Sequence, residues 1–281
     1  MNKIAIVPNT LRDINLHETR QVIKLLKTNH KVFLDEELKN TKIENVVYLP
    51  KAEMLKNADF IVVLGGDGTI LDIAVDAAMF DIPIIGINLG HLGFLSQAEK
   101  GDVSIFEDIF AGKYSITKCM MLHASITKNG EDIASFIALN DVVVSGGEYS
   151  KIINVSAAVN GTGCGAYSAD GIIVASAVGS TAYSLSAGGA IMHPDLDAMI
   201  ITPICPHILQ ARSIVIPGND FVEINVNPPY RTEAIVSVDG KKVHTLNSDE
   251  SVKITKSKYT TSLMRLEQRN FFDILREKLS D

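Results

Sequence analysis

Val62-Val63-Leu64-Gly65-Gly66-Asp67-Gly68-Thr69-Ile70-Leu71 is the stretch from which the fold follows. The apolar run over 60–64 predicts a strand buried on both faces, as in a parallel sheet. Three glycines then allow a tight turn, and Thr69 is placed to cap a helix starting near Ile70. Such a turn presents bare main-chain amides. Without a Cβ on the glycines an anion can approach them closely, at the positive end of the following helix. Asp67 is out of character in that setting, because a carboxylate repels a phosphate unless it binds a metal or handles a proton. A connection that needs glycines only for shape is the competing account, and shape alone does not ask for a central Asp.

Working outward, the first hundred residues alternate strand and helix signals. Residues 3–7 read as a strand, 16–26 as a helix with Val22, Ile23, Leu25 and Leu26 on one side, and 31–34 and 46–49 as short extended runs. A helix over 70–80 and a buried strand over 83–87 follow. This rhythm predicts a Rossmann-like α/β domain over 1–100 with a parallel sheet and ligands beyond the strand carboxyl ends. Both glycine-bearing loops, 65–69 and 88–93, lie at such ends.

After a helix over 103–110 the pattern changes to β-like runs. Asn129-Gly130, Asn160-Gly161 and Asp239-Gly240 are hairpin signals between extended segments. The runs at 137–144, 152–159, 172–175, 214–216, 221–226 and 234–238 are rich in β-branched residues. Gly161-Thr162-Gly163-Cys164-Gly165 reads as turn. A β-rich, sandwich-like domain over 101–257 is expected, with 258–281 returning to the first domain. The last helix, 271–279 with Asn270 as cap, packs back there.

Composition narrows the function classes. The 281 residues suffice for two domains, and 46% hydrophobic with 21% charged residues is the balance of a soluble globular chain. A net charge of −7 argues against nucleic acid as a partner, which would need a basic face. The charge-free stretch 171–192 is long enough to span a bilayer, but its glycines and hydroxyls favour a buried strand, a loop and a short helix, so no membrane partner is expected. Cys119, Cys164 and Cys205 are odd in number and form no C-x-x-C pair, and the amino-terminal apolar run is short for a secretory signal; the cytoplasm is the expected location.

No Walker G-x-x-x-x-G-K-[ST], no G-x-G-x-x-G after a strand, no G-x-S-x-G elbow and no H-E-x-x-H occurs. His91, His123, His193 and His207 therefore suggest no zinc site, and no protein metal-ligand set is expected. Three other pieces carry chemistry. Phe94, ending Gly86-Ile87-Asn88-Leu89-Gly90-His91-Leu92-Gly93-Phe94, is placed to stack on a base, or else packs as a core aromatic. Asn140-Asp141 interrupts an apolar strand and must find partners, either ribose and adenine groups or loop amides. Asp170-Gly171, with the small and hydroxyl-bearing residues 179–189, makes a polar wall of little bulk.

These pieces, in this order, together with Thr202-Pro203-Ile204-Cys205-Pro206-His207, resemble the NAD kinase family closely. Diacylglycerol and sphingosine kinases share the glycine-aspartate loop, but not the full set. The resemblance implies transfer of the γ-phosphoryl of ATP, or of polyphosphate, to the adenosine ribose 2′-hydroxyl of NAD. A divalent cation such as Mg²⁺ would share the phosphate charge, since the loop supplies no lysine. It implies that Asp67 orients or deprotonates that hydroxyl, that the amides of Gly65, Gly66 and Gly68 receive phosphates, and that Phe94 lies against adenine. Asn140 and Asp141 would hold adenosine and ribose, Asp170 the nicotinamide amide, and Thr181, Ala182, Tyr183 and Ser186 would line the pocket. A homodimer or homotetramer whose sites can borrow residues from a neighbour is implied as well. Two positions depart from the family pattern: Ser168 stands where many members carry Arg or Lys, and Ser176-Ala177-Val178 where many carry Thr-Pro-Thr or Thr-Pro-Ser. A lipid or sugar kinase, which would show an apolar groove or basic face, and a catalytically idle dinucleotide-binding regulator, which would rather dispense with Asp67, are the competing readings.

Overall fold

The computed structural model describes residues 1–281 apart from 91–92, 103, 148–151, 209, 228–232, 268–269 and 280–281. The chain divides into two compact units, Met1–Lys118 with Thr261–Asp281, and Cys119–Thr260.

The first unit follows the alternating rhythm: β1 (Lys3–Pro8), α1 (His17–Leu26), β2 (Lys31–Asp35), β3 (Val47–Leu49), α2 (Lys51–Asn57), β4 (Phe60–Gly65), α3 (Asp67–Met79), β5 (Ile84–Asn88), β6 (Ala98–Glu99) and α4 (Ser104–Phe110). Strands β3-β2-β1-β4-β5 lie side by side in that order, all parallel. Every residue of β4 and β5 is buried, which is why both read as unbroken apolar runs. The strand order reverses between β1 and β4, whose carboxyl ends pair as Pro8 with Leu64. A sheet of this kind opens a ligand crevice at that reversal.

The second unit begins within β7 (Tyr114–Lys128) and continues through β8 (Glu131–Ala138), β9 (Asp141–Gly146), β10 (Ile153–Val159), β11 (Thr162–Ala169), β12 (Gly171–Ser176), α5 (Tyr183–Ser186), β13 (Ala198–Ile204), β14 (Ile214–Pro217), β15 (Val222–Asn227), β16 (Ala234–Val238), β17 (Lys241–Leu246) and the start of β18 (Glu250–Leu266). One antiparallel sheet runs β14-β13-β12-β9-β16-β17, and β11-β10-β15-β18 continue another, with β7 beside β18 and β8 beside β7. Between them lies one core to which Leu122, Val155, Ile224 and Val252 come from one side and Val142, Ile172, Ile201 and Val236 from the other. This is the layered, sandwich-like arrangement expected from the strand runs. Asn129-Gly130, Asn160-Gly161 and Asp239-Gly240 all have positive φ at both residues, the conformation that a two-residue hairpin turn requires.

A last helix, α6 (Phe271–Leu279), belongs to the first unit, buries Ile274 and is capped by Asn270, whose Oδ1 accepts from the Asp273 amide at 3.0 Å. Two local expectations fail. Helix α3 starts at Asp67 with Gly66 as its cap, so Thr69 is inside the first turn; its Oγ1 instead accepts from Asn9 Nδ2 at 2.9 Å. Residues 162–165 are strand rather than turn, because pairing with β10 turns Cys164 and Tyr167 onto the sandwich core. Long-range pairing overrides the weak local β preference of glycine there. The start of the helix expected over 103–110 falls on 103, and His91 and Leu92 of the second glycine loop also lie outside the described residues.

Candidate functional site

In the first unit the site is built on the carboxyl ends of β4, β5 and β1. Gly65 still belongs to the ladder with Asn88, and its carbonyl accepts from the Leu89 amide at 2.9 Å. The amides of Gly66, Asp67 and Gly68 follow at the first turn of α3, where no intrahelical carbonyl can reach them. These donors stand at the helix's positive end, an arrangement that suits an anion.

Asp67 is half-buried at the first position of that helix and does not point idly into solvent. Its Oδ2 accepts from the Phe94 amide at 2.8 Å, and its Oδ1 from the Leu95 amide at 3.3 Å and Ser96 Oγ at 3.1 Å. Gly93 makes this approach possible: a Cβ there would stand 2.0 Å from Asp67 Oδ1. A carboxylate offers about four lone-pair sites, so three donors fix its direction and leave room for one more hydrogen bond. The same contacts tie the loop bearing Phe94 to the glycine turn. The Phe94 ring is half-buried, and its carbonyl accepts from Arg265 Nη1 at 3.3 Å.

The sequence reading found no cation for this seat; the structure supplies Arg12. Its Nη1 stands 2.8 Å from where a Cβ on Gly66 would be, and 3.8 Å from that of Gly90. Asn9 puts it there. The Asn9 amide donates to the Leu64 carbonyl at 2.7 Å, and its Oδ1 accepts from the Leu11 and Arg12 amides at 3.1 Å each. The adjacent Asp13 is buried and turned away, accepting from the Glu18 and Thr19 amides, both at 2.9 Å, and from Thr19 Oγ1 at 2.6 Å. Among the described residues no carboxylate pairs with Arg12. Beside Asn9 and Thr69 a cavity of about 570 Å³ opens, walled by Ile6, Met54 and Ile73 with Asp35 and Asp72 at its polar side.

In the second unit, Asn140 and Asp141 open β9, opposite the end of β12, where Ala175 pairs with Asp141. Both are buried. The carbonyl of Asn140 accepts from the Ser176 amide at 2.8 Å, and a Cβ on Gly179 would come within 2.0 Å of it. Ser176 Oγ donates to the Leu139 carbonyl at 2.5 Å and accepts from the Gly179 amide at 3.1 Å, so the first residue of the departure Ser176-Ala177-Val178 pins this turn. Thr181, Ala182, Tyr183 and Ser186 follow on the same turn and on α5, with Tyr183 and Ser186 exposed. Asn140 Oδ1 is buried with no hydrogen-bond partner. An orphaned acceptor of this kind calls for a ligand donor. Asp170 is not part of this group. It precedes Gly171, which pairs with Ser145, so it lies at the other end of the β9–β12 ladder, roughly 13 Å or more along the strand at ~3.3 Å per residue.

Burial raises the Asp141 carboxyl to about 7, with the charge of Asp239 as the lesser cause. Asp239 is itself raised by burial, opposed by three backbone hydrogen bonds and by Lys241. Around neutral pH, Asp141 therefore carries a proton in a large fraction of molecules and can donate a hydrogen bond. Among the described residues no three of His, Cys, Asp and Glu converge as metal ligands, and no helix is long and apolar enough to cross a membrane.

An α/β unit with an anion seat and a fixed carboxylate at its strand reversal, joined to a β-sandwich presenting polar groups, is the framework of a nucleotide-dependent phosphotransferase. The family models for the ATP-NAD kinase N-terminal domain and the ATP-NAD kinase C-terminal domain match residues 4–114 and 139–266. An NAD kinase of Thermoanaerobacter sp. strain X514 is 39% identical over 283 residues, covering 100% of both chains. An NAD kinase from Archaeoglobus fulgidus, solved in complex with ATP, superposes with a TM-score of 0.72 at 27% identity, over 99% of this chain and 98% of that one. Yeast NADH kinase complexed with NADH shares the fold, with a TM-score of 0.84 at 24% identity, over 98% of this chain and 86% of that one. The chain belongs to the NAD kinase family.

The buried acid yields a stability prediction. An acid whose folded value is raised costs stability progressively between its unfolded value near 3.8 and about 7, and in full above that. Asp141→Asn is expected to be more stable than the parent at pH 8, by up to roughly 4 kcal/mol, with the gain vanishing toward pH 4. Thermal melts across that range check it, and a difference that does not depend on pH contradicts it.

Proposed function

We propose that Asp67 is the group that orients or deprotonates the adenosine ribose 2′-hydroxyl of NAD for attack on the γ-phosphoryl of ATP. As a member of the NAD kinase family the chain phosphorylates NAD to NADP, an ATP-dependent phosphotransfer to an alcohol. The observation that supports the residue assignment is the setting of the Asp67 carboxylate, held in one direction by three donors beside the free amides of the same turn. In the proposed step the 2′-oxygen loses its proton to Asp67 and forms the new bond to phosphorus. The bond from phosphorus to the bridging oxygen breaks, with its electron pair leaving on ADP.

The remaining residues take roles by their chemistry. The amides at Gly66 and Gly68 and the guanidinium of Arg12 meet the donor's phosphates, and Gly65 gives the turn its close approach. The cavity beside Asn9 and Thr69 has the size and the mixed apolar and polar wall of a small-molecule site, and Asp35 matches the hydroxyl donors of a ribose. Phe94 lies against adenine. Asn140 accepts from the exocyclic amine and Asp141 bonds the ribose; Thr181, Ala182, Tyr183 and Ser186 line the pocket, and Asp170 serves the nicotinamide amide. The residues fit a divalent cation carried on the phosphates rather than caged by protein, since Mg²⁺ keeps several waters and needs few carboxylates. Such an ion, when bound, neutralises charge on the transferring phosphoryl. A cytoplasmic homodimer or homotetramer completes the reading, with the three cysteines in no disulfide.

Two variants test these roles in an assay with NAD, ATP and Mg²⁺ read by an NADP-specific dehydrogenase. Asp67→Asn is expected to lower turnover by about 10³-fold with NAD affinity nearly intact; a fully active variant removes Asp67 from the mechanism. Arg12→Ala is expected to raise the KM for ATP by about 10-fold or more with the KM for NAD unchanged, and Arg12→Lys to recover part of it. An unaltered KM for ATP would leave the guanidinium without its role.

A further inference from the structure

Asp239 occupies the first position of the tight turn between β16 and β17, with φ of 46° there and 77° at Gly240. Asn-Gly satisfies that turn as well as Asp-Gly does, so the turn alone does not call for a carboxylate. The carboxylate is used elsewhere. Its Oδ2 accepts from the Leu139 amide at 2.8 Å, and its Oδ1 from the Asn140 amide at 2.8 Å and the Asp141 amide at 3.1 Å. The Asp239 amide returns a bond to the Asp141 carbonyl at 3.0 Å. One side chain thus gathers three consecutive amides, those of the β8–β9 connection and the first residue of β9.

The arrangement runs against electrostatic comfort. It places a second carboxylate close enough to Asp141 to disfavour that residue's ionised form, while Lys241 eases the charge of Asp239 itself. A hairpin under no further demand would be served by a neutral amide at 239. What the carboxylate gains is rigidity. With the amides of 139–141 held by Asp239, and the Leu139 and Asn140 carbonyls held by Ser176, the backbone on either side of the Asn140 side chain is fixed. The side-chain oxygen, Oδ1, is buried and left without a partner.

We infer that Asp239 is a positioning residue for the nucleotide site: by clamping three successive amides it aims the Asn140 amide oxygen at the exocyclic amine of a bound adenine. This rests on the reading that Asn140 faces the adenosine of NAD. Asp239 touches no substrate in this account. Its effect is therefore expected in the choice between bases rather than in the chemical step.

The test compares NAD with its hypoxanthine analogue, in which the exocyclic amine is replaced by a carbonyl oxygen. The parent enzyme is expected to prefer NAD by about 10-fold or more in kcat/KM, the worth of a well-made amide-to-adenine contact, and Asn140→Ala to lose that preference. Asp239→Asn keeps the turn but sets an amide NH₂ against a backbone N–H. It is expected to keep its KM for ATP and lose most of the preference for NAD. Asp239→Glu, which keeps the charge but shifts its reach, provides the same comparison should the Asn variant not fold. A ratio in the Asp239 variants equal to the parent's, while Asn140→Ala abolishes it, overturns the clamp alone. A parent enzyme indifferent to the two dinucleotides, or an Asn140→Ala variant that still discriminates, overturns the assignment of Asn140 and this inference with it.

Discussion

A carboxylate set among bare main-chain amides has to be held steady, and most of the first unit's architecture around Asp67 serves that requirement. Left to itself, Asp67 would be repelled by an incoming anion and would swing toward water. Three hydrogen bonds from the Phe94–Ser96 segment oppose this, and the missing Cβ of Gly93 gives them room. Because β4, β5 and β1 are parallel neighbours, their carboxyl ends bring the glycine turn, the Phe94 loop and Arg12 to one edge of the sheet. The strand order is thus as much a part of the chemistry as the side chains are.

The second unit solves a related problem with different means. A polar pair in the core of an apolar sandwich is held here through the backbone around it. Ser176 and Asp239 do this from two strands, and Gly179 lets the following turn close over the Asn140 carbonyl. The orphaned oxygen of Asn140 and the raised acid of Asp141 are the residue of that construction. Both are costly in a free protein, and both gain meaning when a ligand with matching donors and acceptors is present.

Much of this was legible in the sequence because it is local. An apolar run ending in Gly-Gly-Asp-Gly specifies a buried strand and an amide-rich turn, and Asn129-Gly130, Asn160-Gly161 and Asp239-Gly240 each became a hairpin with positive φ. What the sequence hid is long-range. Arg12 reaches the phosphate seat only because β1 lies beside β4, and strand order leaves no mark on residue patterns. Asp239 fits its turn, and nothing local in the sequence marks it for a second use. Thr69 was misassigned as a cap because its hydroxyl has a partner on Asn9, and residues 162–165 became strand because β10 pairs with them.

The central claim is that Asp67 meets the ribose hydroxyl that receives the phosphoryl group. A crystal structure of the enzyme with NAD and a non-transferable ATP analogue tests it most directly. The account predicts the adenosine 2′-oxygen within about 3 Å of an Asp67 carboxylate oxygen, or one water away, with the terminal phosphate on the amides of the glycine turn. An adenosine ribose lodged beyond the reach of Asp67 would contradict it.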